Sequence, residues 1–177
     1  MVMRDVGLEI ATADRTEKSV VAHLLQLYLH DFSDFAIVGQ PYGDVDQGGL
    51  FQYDHLDAYW TDTKREPLLF RAFGQIVGFA LVNGWSASGL DVTFSIAEFF
   101  ILRKYRAIGL GKRAAHRIIE ARPGTWEIPV AHYNLPALKF WRSTTAAMTD
   151  RAVDEITGDG ELWAGPILRL GPISKSK

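Results

Sequence analysis

The chain has 177 residues, a formal net charge of −2 at pH 7 and no cysteine. This composition excludes disulfides, cysteine nucleophiles and thiolate metal sites, and it gives no general electrostatic reason to bind nucleic acid or an acidic membrane surface. The length fits a single domain over residues 1–177, with a tail at 174–177 that we expect to be disordered. No secretory signal and no apolar run of membrane-spanning length is evident, so we expect a cytoplasmic protein.

The predicted elements begin with a strand at 8–12, followed by a helix. Asp14 and Glu17 have the spacing of a capping box, in which each side chain hydrogen-bonds to the backbone N–H of the other at a helix start. The helix then runs to about Leu29 or Phe32 with an apolar stripe that consists of Val21, Leu24, Leu25 and Tyr28.

The segment 31–66 is the least regular part of the chain, and we interpret it as a loop with a short helix. It carries eight carboxylates, interleaved with the aromatic side chains of Tyr42, Phe51, Tyr53, Tyr59 and Trp60. Two interpretations stay open. The segment is a solvated loop whose aromatic residues pack on the core, or it shapes an acceptor pocket that binds a cationic amine by charge pairing and cation–π contact.

Apolar, β-branched and aromatic residues predict six further strands, at 67–73, 76–85, 95–102, 126–132, 151–157 and 162–170. We expect the first two to form a hairpin around Gly74-Gln75 and the last two a hairpin around 158–160. One further helix begins near Leu110 and ends before Pro123, and another begins at an N-cap, Asn134. This order is typical of an α/β (α+β) fold with a mixed, mostly antiparallel sheet.

The turn at 106–111 joins the strand at 95–102 to a helix with a basic exposed face. The first N–H groups of a helix have no helical partner, the helix dipole is positive at that end, and glycine lets backbone approach an anion. Gly109 and Gly111, followed by Lys112 and Arg113, therefore predict a phosphate-binding turn.

Two known phosphate-binding motifs match this turn less well. A Walker A loop needs glycine at position 106 and a hydroxyl residue at position 113, where the chain has arginines. The dinucleotide fingerprint matches at Gly109, Gly111 and Ala114, with Glu127 near the place of the ribose-binding acid. That fingerprint normally lies in the first strand–helix turn of its domain, so a dinucleotide-binding oxidoreductase is the third-ranked alternative.

A third motif, Arg/Gln-x-x-Gly-x-Gly/Ala, is matched in full by Arg106-Ala107-Ile108-Gly109-Leu110-Gly111. With it the chain resembles the GCN5-related N-acetyltransferase (GNAT) superfamily, in which this loop and the following helix bind the pyrophosphate of acetyl-coenzyme A (acetyl-CoA). The later segment 134–141 resembles the Asn-x-x-Ala-x-x-Phe-Tyr segment of the same family, and both occur in the family's order.

The resemblance implies a fold and an activity. The fold is a central mixed, mostly antiparallel sheet of about seven strands, flanked by about four helices, with the fourth and fifth strands splayed apart. The activity is N-acetyl transfer from acetyl-CoA, the co-substrate, to an amino group of a small molecule by direct transfer in a ternary complex. We expect no nucleic-acid or membrane partner, and a homodimer is compatible with the family.

The resemblance also implies which residues bind the cofactor. Backbone N–H groups at 99–102 would hold the pantetheine arm and the thioester oxygen, and Asn134 and Phe140 would contact the cofactor from the later segment. The expected cofactor-binding residues are therefore Phe100, Ile101, Leu102, Arg106, Ala107, Ile108, Gly109, Leu110, Gly111, Lys112, Asn134 and Phe140.

Glu98 is the candidate general base, since its apolar neighbours in the strand would raise its pKa toward neutrality by desolvation. His132 and Tyr133, at the end of the predicted strand 126–132, are further acid/base candidates. No metal is expected. Trp141 stands where the family often has a tyrosine that protonates the leaving thiolate, and Tyr133 or Ser143 could replace that acid. The departure at Trp141 also supports an alternative, a non-catalytic acyl-CoA-binding or regulatory module.

Overall fold

A seven-stranded sheet runs through residues 7–38 and 43–172, the residues that this computed structural model describes. The strands are β1 (Glu9–Thr12), β2 (Glu66–Ala72), β3 (Gln75–Asn83), β4 (Phe94–Ile101), β5 (Trp126–Pro129), β6 (Val153–Thr157) and β7 (Pro166–Leu170). Their order is β1-β2-β3-β4-β5-β7-β6, and neighbours are antiparallel except for β4 and β5. The predicted mixed, mostly antiparallel sheet is confirmed.

The α-helices of the described residues are α1 (Lys18–Ser33), α2 (Leu110–Glu120) and α3 (Leu135–Thr145). The described residues thus contain three α-helices where about four were predicted, and those between α1 and β2 contain a single 3₁₀ turn, at Asp57–Trp60. Within the described residues, none of the helices combines the length and apolarity needed to cross a membrane. The tail predicted at 174–177 lies outside the described residues.

Local sequence signals set the beginnings of two helices. Asp14 and Glu17 form the predicted capping box, with Asp14 Oδ1 accepting hydrogen bonds from the N–H of Thr16 at 2.7 Å and of Glu17 at 3.2 Å. This box caps a 3₁₀ turn that continues directly into α1. Asn134 is the N-cap of α3, where its side-chain oxygen accepts from the N–H of Ala137 at 3.1 Å.

The helices cover both faces of the sheet. On one face α1 buries Val21, Leu24 and Leu25 against apolar side chains of β2, β3 and β4. On the other face α2 and α3 bury Leu110, Ala114, Ala115, Ile118, Ile119, Leu138 and Trp141. The spacing of these residues follows the helical period, so the sequence pattern determines which side of each helix faces the sheet.

The hairpin between β2 and β3 turns one residue earlier than predicted. Phe73 and Gly74, with φ values of 56° and 70°, occupy the turn, and Gln75 already belongs to β3. Positive φ at both central residues is typical of a type I′ turn, which glycine adopts freely and phenylalanine rarely does. Phe73 stacks on Tyr105 with ring centroids 6.2 Å apart, a contact that the local sequence does not reveal.

The contact between β4 and β5 is short. The two strands pair in parallel only at Phe94–Trp126 and Ser95–Glu127, and β5 ends at Pro129 although a strand to His132 was predicted. Proline has no N–H to donate to a neighbouring strand. Beyond Ser95, β4 therefore separates from β5 and leaves a gap in the sheet, as the predicted splay requires.

A buried arginine joins the end of α2 to the last strand. Arg151 is 6% exposed and donates to the carbonyl oxygens of Gly124 at 2.9 Å, Gly171 at 3.1 Å and Ile119 at 3.2 Å. No described carboxylate forms a salt bridge with it, so these carbonyl groups supply its hydrogen bonds. Arg151 thus supplies a hydrogen bond to a carbonyl at the end of α2. It also joins the segment before β5, at Gly124, to the segment after β7, at Gly171.

We expect Arg151→Ala to lower the free energy of unfolding by about 3 kcal/mol, because buried carbonyl groups lose their donor. Urea denaturation measures the change. Arg142→Ala is the control, since Arg142 is half-exposed in its ion pair with Glu155, and we expect it to cost under about 1 kcal/mol. Equal effects of the two substitutions would contradict the assignment.

Candidate active site

The gap between β4 and β5 exposes backbone groups of β4. Leu102 N–H donates to Val77 O at 2.9 Å, which fixes the phase of hydrogen bonding between β3 and β4. In an antiparallel pair the N–H groups alternate in direction, so those of Phe100 and Leu102 point to β3. The N–H groups of Phe99 and Ile101 point the other way, into the gap, and are the donors available to a ligand.

A cavity of about 580 Å³, which we call the turn cavity, opens from this gap toward the N-terminus of α2. Its walls come from α1, the end of β4, the turn after it and α3. The lining residues are Tyr28, Asp31, Phe32, Asp34, Phe35, Phe99, Phe100, Ile101, Arg103, Arg106, Ala107, Gly109, Gly111, Lys112, Asn134, Pro136, Ala137, Phe140 and Trp141.

The two glycines of the turn have different physical roles. Gly109 is the N-cap of α2 with φ of 82°, in the left-handed region, and a Cβ there would meet no atom within 4 Å. Glycine at 109 is thus required by the backbone and leaves open space above the helix N-terminus. At Gly111 a Cβ would lie 3.3 Å from Phe140, so this glycine allows α2 and α3 to pack closely. Ala107 adopts φ of 62°, an unusual value for alanine.

The guanidinium of Arg106 is directed back toward the protein. Its Nε donates to Ile101 O at 2.7 Å, its Nη2 lies 2.5 Å from Asp31 Oδ2, and Arg103 also pairs with Asp31, at 2.7 Å. Burial alone would raise the pKa of Asp31, but hydrogen bonds from Arg106 and Arg103 hold that pKa below its usual value. Asp31 therefore ties the turn to α1, and one side of the Arg106 guanidinium serves this contact.

A second cavity, of about 830 Å³, lies on the α1 side of the gap, and we call it the tyrosine cavity. Its walls include Tyr28, Tyr53, Tyr59, Tyr133, Trp85 and Trp163, together with the polar residues His55, Arg65, Asn83 and Glu98. Tyr28, Phe32, Phe99, Asn134, Ala137 and Trp141 line both cavities. The two cavities therefore meet at the gap between β4 and β5.

A β-bulge directs Glu98 into the tyrosine cavity. The register between β3 and β4 shifts so that Leu81 faces Glu98 and Val82 faces Ile96, which leaves Ala97 as the extra residue. Burial raises the pKa of Glu98 to about 7, although hydrogen bonding to Tyr28 and Tyr53 acts in the opposite direction. Near neutral pH this carboxylate is therefore poised both to accept and to return a proton.

Two tyrosines of the cavity wall, Tyr53 and Tyr59, stay protonated. Burial, followed by the charge of Glu98, raises the pKa of Tyr53. Burial also raises the pKa of Tyr59, whose hydroxyl accepts a hydrogen bond from Asn83 Nδ2 at 3.2 Å. Both hydroxyls are therefore available as neutral hydrogen-bond donors beside the carboxylate.

The remaining acid/base candidates lie in different places. Tyr133 lines the tyrosine cavity and is 37% exposed, with its ring 5.3 Å from that of Phe35. His132 is exposed, lies outside the lining of both cavities, and contacts Ala164 O through Nδ1 at 3.3 Å. Ser143 donates to Phe140 O at 2.9 Å, also outside both linings. The structure thus brings Tyr133, but neither His132 nor Ser143, to the cavities.

Most of the expected cofactor-binding residues line the turn cavity. Those residues are Phe100, Ile101, Arg106, Ala107, Gly109, Gly111, Lys112, Asn134 and Phe140. Three do not. Leu110 is buried in the core at 1% exposure, Ile108 points to solvent at 42% exposure, and the N–H of Leu102 is used by β3. Phe99, which belongs to the predicted range 99–102, also lines the turn cavity, and its N–H faces the gap.

The carboxylates of the segment 31–66 are mainly used in local contacts. Asp31 pairs with Arg103 and Arg106, Asp57 with Lys18, Asp62 with Arg65 and Glu66 with Arg122. Asp46 accepts from the N–H groups of Gly48 and Leu50. Of the two interpretations left open, charge pairing of a cationic amine with these carboxylates does not agree with the structure, since Glu98 is the one carboxylate that lines the tyrosine cavity among the described residues. The aromatic residues of that interpretation agree with the structure, because Tyr53 and Tyr59 line the tyrosine cavity.

Glu127, the acid that the dinucleotide alternative requires, is fully buried, and its carboxylate is already used in contacts within the protein. It pairs with Arg169 at 2.6 Å, accepts from Ala87 N–H at 2.8 Å, and also accepts from the hydroxyls of Ser86 and Ser88. These bonds hold the loop after β3 against β5. The structure therefore assigns Glu127 to the closed end of the β4–β5 pair and not to the glycine turn.

Comparisons with known proteins agree with this architecture. Neither a protein-family model nor a curated protein matches the chain. Among solved structures, it is similar to an acetyltransferase from Thermus thermophilus, with a TM-score of 0.61, 16% identity, and coverage of 95% of this chain and 97% of that chain. It is also similar to a GNAT-family acetyltransferase from Staphylococcus aureus, with a TM-score of 0.61, 12% identity, and coverage of 96% and 100%.

A third similar structure is that of yncA from Salmonella typhimurium, solved with its cofactor acetyl-CoA. Its TM-score is 0.56 at 13% identity, and the match covers 96% of this chain and 95% of that chain. The described chain therefore has the GNAT fold over nearly its whole length, as the resemblance predicted.

The raised pKa of Glu98 predicts a specific pH dependence of stability. Its folded value of about 7 lies above the ordinary value of 4.5, so its contribution is complete below that ordinary pKa and is lost as pH rises through 7. We expect Glu98→Gln to gain stability relative to wild type by about 2–3 kcal/mol between pH 5 and pH 9. Urea denaturation of both proteins across this range measures it, and parallel pH profiles would contradict the assignment.

Proposed function

We propose that this protein transfers the acetyl group of acetyl-CoA to an amino group of a small molecule, in a ternary complex of enzyme and both substrates. The observation that carries the proposal is the meeting of the two cavities at the gap between β4 and β5. A donor in the turn cavity and an acceptor in the tyrosine cavity would reach the same backbone, next to Glu98.

The turn cavity fits the anionic part of acetyl-CoA. Gly109 leaves open space at the N-terminus of α2, where free N–H groups and the positive end of the helix dipole favour a pyrophosphate. Lys112 lines the same cavity and adds a positive charge. The N–H groups of Phe99 and Ile101 would then bind the pantetheine arm and the thioester oxygen, and the use of acetyl-CoA by yncA supports this placement.

The tyrosine cavity supplies the groups for proton transfer. Glu98, directly or through water, would take a proton from the ammonium form of the acceptor, so that the nitrogen lone pair can attack the thioester carbon. The N–H groups facing the gap would stabilise the developing oxyanion, and the C–S bond would then break. Tyr133 is the candidate donor of a proton to the thiolate, a leaving group that needs little acid assistance because its thiol pKa is about 8.5. The nitrogen of the adduct would pass its second proton to the Tyr133 phenolate, so that the products are the amide, the CoA thiol and the proton held by Glu98.

A non-catalytic acyl-CoA-binding module is the second candidate, and Trp141 is the observation that favours it. Trp141 is buried at the junction of the two cavities and packs against Phe99, with ring centroids 5.1 Å apart. Its indole has no acidic proton to give near neutral pH. Tight binding of acetyl-CoA without turnover on any amine would favour this alternative.

We expect the protein to bind acetyl-CoA and CoA at micromolar concentration and not NADH, as measured by isothermal titration calorimetry. Gly109→Trp should abolish the binding of both CoA species, because its side chain would occupy the space above the helix N-terminus and would strain a backbone with φ of 82°. Ile108→Trp, a substitution on the same turn outside the cavity lining, is the matched control and should bind within about threefold of wild type.

Absence of acetyl-CoA binding to the wild-type protein would refute the proposed function. Equal loss of binding in the Ile108→Trp control would indicate that the turn responds to any added bulk, and the anion site above Gly109 would then be wrong. NADH binding with a Kd similar to that of acetyl-CoA would instead favour the dinucleotide alternative.

We expect Glu98→Gln to lower kcat by about 100-fold or more, while the Kd for acetyl-CoA stays within about twofold. A general base acts in its ionised form, so wild-type kcat/KM should rise with pH through about 7, the pKa of Glu98, and this rise should disappear in the variant. Steady-state kinetics between pH 5.5 and 9 tests both points. Unchanged kcat in Glu98→Gln would remove Glu98 from the chemistry.

A further inference from the structure

Two ionised side chains of opposite charge line the tyrosine cavity. Among the described residues of its wall these are Arg65 and Glu98, and His55 lies exposed at the rim. The cavity is thus not an anionic pocket, and the positive charge of Arg65 is balanced only by its ion pair with the exposed Asp62. An acceptor with a carboxylate as well as an ammonium group would complement both residues of the wall.

We propose that Arg65 binds a carboxylate of the acceptor and that the substrate is an amino acid, whose amino group lies at Glu98. The inference rests on the proposed function and names the substrate class of the same site. An amino acid carries the two charges that this wall complements, and the guanidinium of arginine matches a carboxylate with parallel hydrogen bonds.

Arg65 is held in place by contacts that leave some of its guanidinium N–H groups available. Its guanidinium lies over the ring of Tyr59, 5.4 Å from the centroid, and its Nε lies 3.3 Å from Asp62 Oδ2. The ion pair with Asp62 is between residues three apart, with the carboxylate side chain 46% exposed, so it is weak and screened. The contact with Asp62 uses Nε, and Arg65 also hydrogen-bonds to the Tyr59 side chain, so the remaining N–H groups of the guanidinium are the donors for a ligand carboxylate.

The two charges flank the same tyrosines. Arg65 and Glu98 both act electrostatically on Tyr53 and on Tyr59, and they do so in opposite directions. All four side chains line the tyrosine cavity. A small molecule with an amino group and a carboxylate can contact both charges from the open side of this wall.

Aromatic side chains provide a further part of the cavity wall. Trp85 and Trp163 meet edge to face with ring centroids 6.5 Å apart, and both line the tyrosine cavity. Trp163 is fixed by a hydrogen bond from Nε1 to Val130 O at 3.2 Å. These rings offer apolar surface to the side chain of the amino acid, so we expect apolar and aromatic amino acids to be preferred over charged ones.

The test compares each amino acid with its amide and its decarboxylated amine, for example phenylalanine, phenylalaninamide and phenethylamine. Acetyl transfer is followed by the free CoA thiol with a thiol reagent, which the protein itself does not consume because it has no cysteine. We expect kcat/KM for the preferred amino acid to exceed that for its amide by about 10-fold or more, from the charge-assisted hydrogen bonds.

Arg65→Gln should reduce this preference to within about threefold, by raising KM for the amino acid more than KM for its amide. Arg65→Lys keeps the charge without the planar fork and should retain part of the preference. A merely structural role of Arg65 would instead lower the rates with amino acid and amide alike. The comparison between paired substrates therefore separates recognition from stability.

The outcomes distinguish this inference from the proposed function. If wild type binds acetyl-CoA and acetylates amides or simple amines as well as amino acids, the inference is overturned and the proposed function stands. The same holds if the preference for amino acids persists in Arg65→Gln. Binding of acetyl-CoA with no turnover on any amino acid also overturns the inference, and failure to bind acetyl-CoA overturns both.

Discussion

The separation of β4 from β5 after two residue pairs is the constraint on which the candidate site depends. Beyond Ser95 the N–H groups of β4 that face away from β3 meet no further strand among the described residues. Buried backbone N–H groups are costly when they have no hydrogen-bond partner. The sheet thus presents, at Phe99 and Ile101, donors that an extended ligand with carbonyl and amide groups can satisfy.

Different interactions hold the two ends of this gap. At the closed end, the buried Glu127 and its partner Arg169 join β5 and β7 to the loop after β3. At the open end, Phe99 packs on Phe140 and Trp141 of α3, with ring centroids 5.9 Å and 5.1 Å apart. A buried ion pair is costly to desolvate, but it is rigid once its hydrogen bonds are satisfied. This rigidity suits the point at which β4 and β5 begin to separate.

The sequence carried enough information for the fold and for the turn. Periodicity located α1 and α2, and the chemistry of Asp14 and Asn134 located the starts of α1 and α3, because these signals act within a few residues. The strand limits at Phe73 and Pro129 were less accurate, since a turn type and the end of a strand depend on tertiary contacts such as the stacking of Phe73 on Tyr105.

The composition of the acceptor side was misleading for a physical reason. Eight carboxylates between Asp31 and Glu66 suggested an anionic pocket, but composition does not show which charges find partners on other elements. Arg103 and Arg106 reach Asp31 across more than 70 positions of sequence, and Arg122 reaches Glu66 in the same way. After this pairing the charge left in the tyrosine cavity is that of Glu98 and Arg65, which only the folded chain brings together.

The Arg106–Asp31 contact limits what Arg106 could contribute to anion binding at the turn. One side of the guanidinium is bonded to Asp31 and Ile101 O, and its face lies over the ring of Phe100, 5.3 Å from the centroid. Arg106 is thus used largely to attach the turn to α1 and β4. In the proposed complex the anion would then depend mainly on the N-terminal amides of α2 and on Lys112.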